Sequence, residues 1–384
     1  MSAVRHIPKM YIIRTQARVQ VNSDIRTQAR TTTHPNSRKP VTAAARRRGW
    51  VDLFLQRMDW RGWTILSVAI AWGAIVALPG LVAVVRHGGI ASTSASAWLT
   101  SPDANTFIRV YRFNTGQIVT LPLANYLINV LAAEMSPNAP LPALEAAAVA
   151  ARTYAVHALT APASTYAKEH GADVTDSPLL DLPWLNTAQQ KQRFGSQQAW
   201  AVLHYEQAIF ATDGQVLTYG GKPILAFTFP LSPGQTRSAA VALGQPLPYL
   251  PVVACPDDAK VARQQQTSLT VLEVARLLRI STTSLQANKF RLIPATDGFV
   301  QAITYPGHTW TGAQFATSLG LPSADFRLAL KGSRLTFTTW GIGSDLGMSL
   351  HEDSALAARG DSWQHILSIF YPGTRLMPEM SLLS

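Results

Sequence analysis

The stretch LPLANYLINVLAAEMSPNAPLPALEAAAVAARTY, Leu121 to Tyr154, decides how the chain is read. It divides into two helices around a turn. With Leu123 at zero and about 100° per residue, Leu127, Val130 and Leu131 fall within about 80° of it, one apolar stripe. Glu134 falls near the middle of that stripe. Pro137 disfavours helical geometry at the residue before it, so the first helix should end about there. Glu134 then lies in a last turn, on the apolar side. Desolvation and the negative end of the helix dipole both oppose its charge. A carboxyl held this way can stay protonated near neutral pH and act as a general acid. A Glu in a last turn can equally turn its head into water with its stem on the core. The second helix, Pro142 to about Leu159, is alanine-rich and suits close packing. Arg152 and Tyr154 near its end are either ligand contacts or ordinary capping and core residues.

The basic charge lies elsewhere. Of a net charge of +11 over 384 residues, residues 1–62 carry 13 Lys/Arg against Asp24, Asp52 and Asp59, and the remainder is close to neutral. That tail is poor in large apolar residues and is expected to be disordered. RTQAR occurs in it twice, too few copies for a solenoid. From Thr64 to Val85 come 22 residues without a charge, long enough to span the hydrocarbon core as a helix. Trp60 and Trp63 precede the segment, as do Arg46, Arg47, Arg48, Arg57 and Arg61; only Arg86 and His87 closely follow it. The positive-inside rule keeps the N-terminus cytoplasmic and exports the rest. This gives a single-pass plasma-membrane protein: a tail (1–62), a transmembrane helix (64–85), a linker (86–102) and an extracytoplasmic body (103–384). No specific nucleic-acid partner is expected of a body that is nearly neutral.

The chain as a whole is 47% hydrophobic and 14% charged, enough for a sizeable core. The expected class is α+β, antiparallel strands with packed helices. Strands are predicted around Asn114-Thr115-Gly116, in hairpins at Asp213-Gly214 and Gly220-Gly221, around Asp297-Gly298, and over Phe326–Thr339. Helices are predicted over Gln198–Ile209, Leu269–Ile280, Thr311–Leu321 and Ser362–Phe370, with Thr160–Gln198 irregular. The single Cys255, in the apolar run VVAC, is expected to be buried and excludes an internal disulfide and a four-cysteine zinc site. No HExxH or other metal-ligand spacing occurs, so neither metal nor cofactor is expected.

The first stretch also carries a family resemblance. AAEM at Ala132–Met135, a short Pro-containing turn and AVAARTYA at Ala148–Ala155 resemble the stage II sporulation protein D family, which includes the amidase enhancers. The resemblance continues through Ser232-Pro233-Gly234-Gln235-Thr236, Pro248–Leu250, Leu319–Leu321, GIGSDLGMSLHEDSALAARG from Gly341 and Tyr371–Thr374, about 107–377 in all. It implies cleavage of peptidoglycan glycan strands stripped of stem peptides, by a lytic transglycosylase mechanism, with Glu134 as acid/base. It implies glycan contacts at Arg152, Tyr154, Gly234, Thr236, Gly343, Met348 and Ser349. Several positions depart from the family pattern: Phe229 and Ser344 where relatives commonly have His, Pro233 and Asp345 for Gly, and Leu350 for Gln. DVTDSPLLDLPW from Asp173 lacks the Cys and His that accompany a metal in some relatives. The alternative is a glycan-binding protein that activates a separate cell-wall amidase without cleaving anything. A third reading is a purely structural anchor whose basic tail binds anionic lipid or nucleic acid. Asp345 as a second carboxylate is not forced by any spacing.

Overall fold

The computed structural model describes residues 101–383 apart from 162–164, 178–179, 282–285 and 332–333. The expectations for the tail (1–62), the membrane helix (64–85) and nearly all of the linker (86–102) lie outside the described residues. Among the described residues no helix is long and apolar enough to cross a membrane.

The described chain is α+β, with small, mostly antiparallel sheets and packed helices. Strand β1 (Phe107–Arg112) pairs antiparallel with β2 (Gln117–Pro122) and parallel with β3 (Val174–Thr175). Helix α1 (Leu123–Glu134) follows β2 directly and buries Leu123, Leu127, Val130 and Leu131, the stripe seen in the sequence, together with Tyr126. Each such side chain contributes roughly 1.5–3 kcal/mol of burial. Helix α2 (Leu141–Thr160) is the axis of the larger core; its alanines at 146, 147, 148, 150, 151 and 155 are all buried. Small side chains on every face let neighbours approach closely. Against it pack α1, α4 (Gln198–Ala211), α7 (Leu350–Ala358), α8 (Trp363–Phe370) and β4 (Gln215–Tyr219).

The stretch expected to be irregular holds α3 (Thr187–Phe194), opened by a capping box between Asn186 and Gln189. The hairpin expected at Asn114-Thr115-Gly116 forms between β1 and β2; of the two expected between Ala211 and Phe229, Gly220-Gly221 makes one, joining β4 to β5 (Lys222–Pro223) with both glycines at positive φ. Asp213-Gly214 instead links α4 to β4, because Pro102 and Glu379 pack at Gly214 and the Glu379 N–H bonds its carbonyl at 2.8 Å. Strand β14 (Arg375–Pro378) completes this sheet on β4.

A second, smaller core is built from residues 265–339. Strand β7 (Gln265–Thr270), helix α5 (Val271–Leu278), β8 (Arg291–Pro294), β9 (Val300–Tyr305), β10 (His308–Thr311), α6 (Gly312–Leu319), β11 (Phe326–Lys331) and β12 (Arg334–Thr339) enclose Phe290, Phe315, Phe326 and Phe337. The chain leaves the larger core and returns to it side by side, since Gln265 of β7 pairs with Thr339 of β12. Strand β7 was not foreseen, because QQTSLT is polar with a single large apolar residue, and none of its residues is fully buried.

Candidate active site

Helix α1 stops at Glu134 because Met135 turns to extended geometry, while its N–H still bonds Leu131 O at 2.8 Å. Two donors close the helix end: Arg193 Nη1 to Ala133 O at 2.7 Å and Tyr205 Oη to Met135 O at 2.9 Å. These bonds occupy carbonyls that a helix terminus leaves without partners. The carboxyl of Glu134, the last residue of the helix, turns inward and is partly buried. Its Oε1 accepts from Thr228 Oγ1 at 2.9 Å. Burial pushes its pKa up to about 7, with the Thr228 bond pulling the other way. Near neutral pH this group is populated both as acid and as carboxylate, the condition for giving a proton and later taking one. Tyr126 and Tyr371 are buried within the reach of its charge, and their hydroxyls are held protonated well above their ordinary range by burial first and that charge among the lesser causes. Tyr371 Oη donates to Phe227 O at 2.6 Å.

Thr228 is held by a short parallel pairing of β6 (Thr228–Phe229) with β13 (Met348–Ser349). This brings the glycine-rich run beside Glu134's partner. The glycines are explained by that approach. At Gly347, φ is +87° and a Cβ would lie 2.0 Å from Phe227 O; at Gly343, φ is +109° and a Cβ would lie 2.8 Å from the Cβ of Phe229. Only glycine lets two backbones pass so closely in this conformation.

The seven expected ligand contacts divide accordingly. Met348 and Ser349 pair with Thr228 and Phe229 and are buried; Ser349 Oγ caps α7 by accepting from Glu352 N. Gly343 is partly open at the rim beside Phe229. Tyr154 is buried, its hydroxyl donating to Asp181 Oδ1 at 2.7 Å and its ring 5.7 Å from that of Phe227. It packs against the residue before Thr228 and is not exposed to a ligand. Thr236 is buried in a backbone clamp, donating to Pro251 O and accepting from Val253 N. Gly234 sits partly exposed in a loop at φ +128°. Arg152 has no exposed surface: it forms a two-pronged ion pair with Asp103 and offers nothing to a ligand. Its position on an all-buried helix face leaves it no path outward.

Thr228 was not foreseen; it lies 94 residues from Glu134, and nothing local in the sequence marks it. Asp345 is fully buried at φ +59° with neither carboxylate oxygen bonded, and burial holds it protonated well above its ordinary range. The charges around it are Asp325, Arg237, Asp258 and Asp297, not Glu134. Cys255, buried as expected, converges with Asp258 and Glu352 to within 4.8 Å. The carboxylates are already engaged: Asp258 Oδ2 accepts from Ser232 N, its Oδ1 bonds His351, and Glu352 Oε2 accepts from the N–H groups of Asp257 and Asp258. The thiol is pushed up to about 12, mainly by burial, which opposes the thiolate a metal would need.

The arrangement defines an α+β protein whose candidate site is one desolvated glutamic acid on a helix end, braced by a threonine from a glycine-flanked strand pair. A family model described as Stage II sporulation protein matches residues 111–219, which include Glu134. The Stage II sporulation protein D of Bacillus amyloliquefaciens is 30% identical over 287 residues, 74% of this chain and 83% of that protein. That of Bacillus subtilis strain 168 is 30% identical over 288 residues, 74% and 82% of the two chains. An uncharacterised protein of Brachyspira hyodysenteriae is 26% identical over 306 residues. The chain belongs to the Stage II sporulation protein D family.

Removing the threonine hydroxyl tests the brace. Thr228→Val is expected to move the titration midpoint of Glu134 upward from about 7, since the lost bond favours the carboxylate. The cost of such a bond is about 1 kcal/mol. Carboxyl-carbon NMR against pH checks it; a midpoint that falls would remove Thr228 from the site.

Proposed function

We propose that this protein cleaves peptidoglycan glycan strands as a lytic transglycosylase acting on stem-peptide-free glycan. The observation that carries the reading is the Glu134 carboxyl, desolvated, bonded to Thr228 and pushed up to about 7. As the acid, Glu134 gives its proton to the glycosidic oxygen while the C1–O bond breaks. As the carboxylate, it takes the proton of the muramic 6-hydroxyl while that oxygen bonds C1. The sugar closes into a 1,6-anhydro ring, no water is consumed, and Glu134 returns to its starting state. One carboxyl serves both steps, unlike the two-carboxylate hydrolases.

The proposal includes a place for the reaction. Residues 64–85 anchor the chain in the plasma membrane with the N-terminus cytoplasmic and the body outside, where the glycan is. The runner-up is a non-catalytic glycan binder that activates a cell-wall amidase. Phe229 favours it: where relatives commonly carry His, this chain has a ring that is 2% exposed and can donate no proton.

The test is to incubate the full-length chain with peptide-free glycan strands and examine the products by mass spectrometry. Anhydro-ended fragments are expected. Reducing ends without anhydro sugar would make the protein a hydrolase, and intact strands that remain bound would leave the amidase-activating reading.

A further inference from the structure

A cavity of about 440 Å³ opens where the 265–339 core meets the larger body. Its size falls within the range of small-molecule sites, roughly 300–1,000 Å³. One wall is the loop that carries Gly234 and Gln235; the other holds Asp297, Asp325, Arg327 and Trp340. Of these residues only Gly234 was expected from the family resemblance to touch glycan, and none of their side chains bonds Glu134, whose hydrogen-bond partner is Thr228.

The walls are built rather than incidental. Arg237, 5% exposed, bonds Asp297 Oδ2 through Nε at 3.1 Å and lies 4.7 Å over the ring of Phe299. That fixes the Asp297 carboxylate, while Gln235 Nε2 reaches across to Asp297 O at 3.3 Å. Asp325 and Trp340 are held as neighbours by a Trp340 N–H to Asp325 O bond of 3.0 Å. The Asp325 carboxyl, partly exposed to the cavity, has no hydrogen-bond partner among the described residues. Burial pushes it up to about 6. Arg327 lies 5.3 Å over the Trp340 ring, which remains partly exposed.

These groups match one ligand chemistry. A pyranose presents an apolar C–H face and a rim of hydroxyls that both donate and accept. An indole plate suits the face. Carboxylates accept from the rim, and an amide and a guanidinium donate to it. A phosphate would meet two carboxylates, and a simple cation would have no use for the indole.

The position is also informative. Thr228, bonded to Glu134, and Gly234, in the cavity wall, are six residues apart, so their Cα atoms are separated by at most about 20 Å. A glycan strand of several sugars can touch both places.

We propose that this cavity is a second, non-catalytic subsite that holds a pyranose unit of the same glycan strand, several sugars from the bond at Glu134. The inference rests on the reading that the Glu134 site takes glycan. It makes the protein a reader of strand length, gripping long chains at two points and short ones at one.

The test measures binding by calorimetry in full-length Glu134→Gln, which cannot turn the ligand over. The ligands are a peptide-free glycan disaccharide and an octasaccharide. The octasaccharide is expected to bind at least about tenfold tighter, about 1.4 kcal/mol. That gain with length is expected to vanish in Trp340→Ala and in Asp325→Asn, the second being isosteric and safe for folding. A gain that persists in Asp325→Asn, or no gain in the parent, overturns the subsite and leaves the Glu134 reading standing. Absence of binding at either length overturns both.

Discussion

Arg152→Met is expected to destabilise the protein by about 3–5 kcal/mol, the cost of breaking a buried ion pair from one side. Arg152 is completely buried, and its Nε and Nη2 meet the two Asp103 oxygens at 2.7 and 2.6 Å. Its other donors reach Ile209 O at 3.1 Å, and Thr212 Oγ1 and Gln215 O at 3.4 Å. The same guanidinium offsets more than its direct partner. Glu379 is pushed up to about 7 by burial and then by Asp103, with Arg152 pulling it down, and one of its oxygens has no partner. Asp213 also feels the Arg152 charge. Methionine fills the space and leaves Asp103 buried beside two further acids. Asp103→Asn added to Arg152→Met is expected to recover part of the loss, because the uncompensated charge is then gone. Urea unfolding of the single and double variants measures this. A loss below about 1 kcal/mol, or no recovery in the double variant, would show that the pair is not what holds α2 to the chain around residue 103.

The contrast between Arg152 and Glu134 shows what the linear chain makes legible. Both lie in the same 34-residue stretch. Glu134 could be placed from periodicity, because Leu123, Leu127, Val130 and Leu131 define a face, and a carboxyl on that face near Pro137 has few places to go. Arg152 lies on a helix buried nearly all round, and a helix without a polar side has no stripe from which to read direction. Its partner Asp103 is 49 residues away. Distance in sequence hid Thr228 in the same way. The glycines at 343 and 347 were visible as a motif, but the reason for them, the backbone of Phe227 to Phe229, becomes visible only once β6 and β13 are paired. Helix α3 is a different case. Its Asn186-to-Gln189 capping box was present in the sequence, but TAQQKQRF has a single buried residue, Gln190, so no apolar face announced it. The smaller core was legible element by element, through the Asp297-Gly298 turn and the Thr311 helix start, and not as a separate cluster, since clustering depends on contacts between β7 and β12 across 64 or more residues.

Glu134→Gln is expected to abolish glycan cleavage and at the same time to stabilise the protein at alkaline pH. The two effects share one cause. In the folded chain the carboxyl titrates at about 7, against an ordinary value of 4.5. Between those values the folded state holds a proton that the unfolded state has released, so stability falls as pH rises through the interval and the loss is complete above about 7. The full difference is about 3 kcal/mol. Glutamine keeps the shape and can still accept from Thr228 Oγ1, but it has no charge to desolvate. The variant should therefore match wild type at pH 4 and exceed it at pH 8 by up to about 3 kcal/mol. Asp325 and Glu379, pushed up to about 6 and about 7, add slope to both proteins alike, so the informative quantity is the difference between the two. Urea unfolding at both pH values, with glycan products followed at pH 7, reads both effects. A variant no more stable than wild type at pH 8 would mean that the carboxyl is solvated and its pKa ordinary, and an ordinary glutamate is almost wholly ionised at neutral pH. Cleavage would then lack its acid. A variant that gains stability and loses cleavage ties the two together: the same desolvation that strains the folded chain keeps a proton available where the glycosidic oxygen needs it.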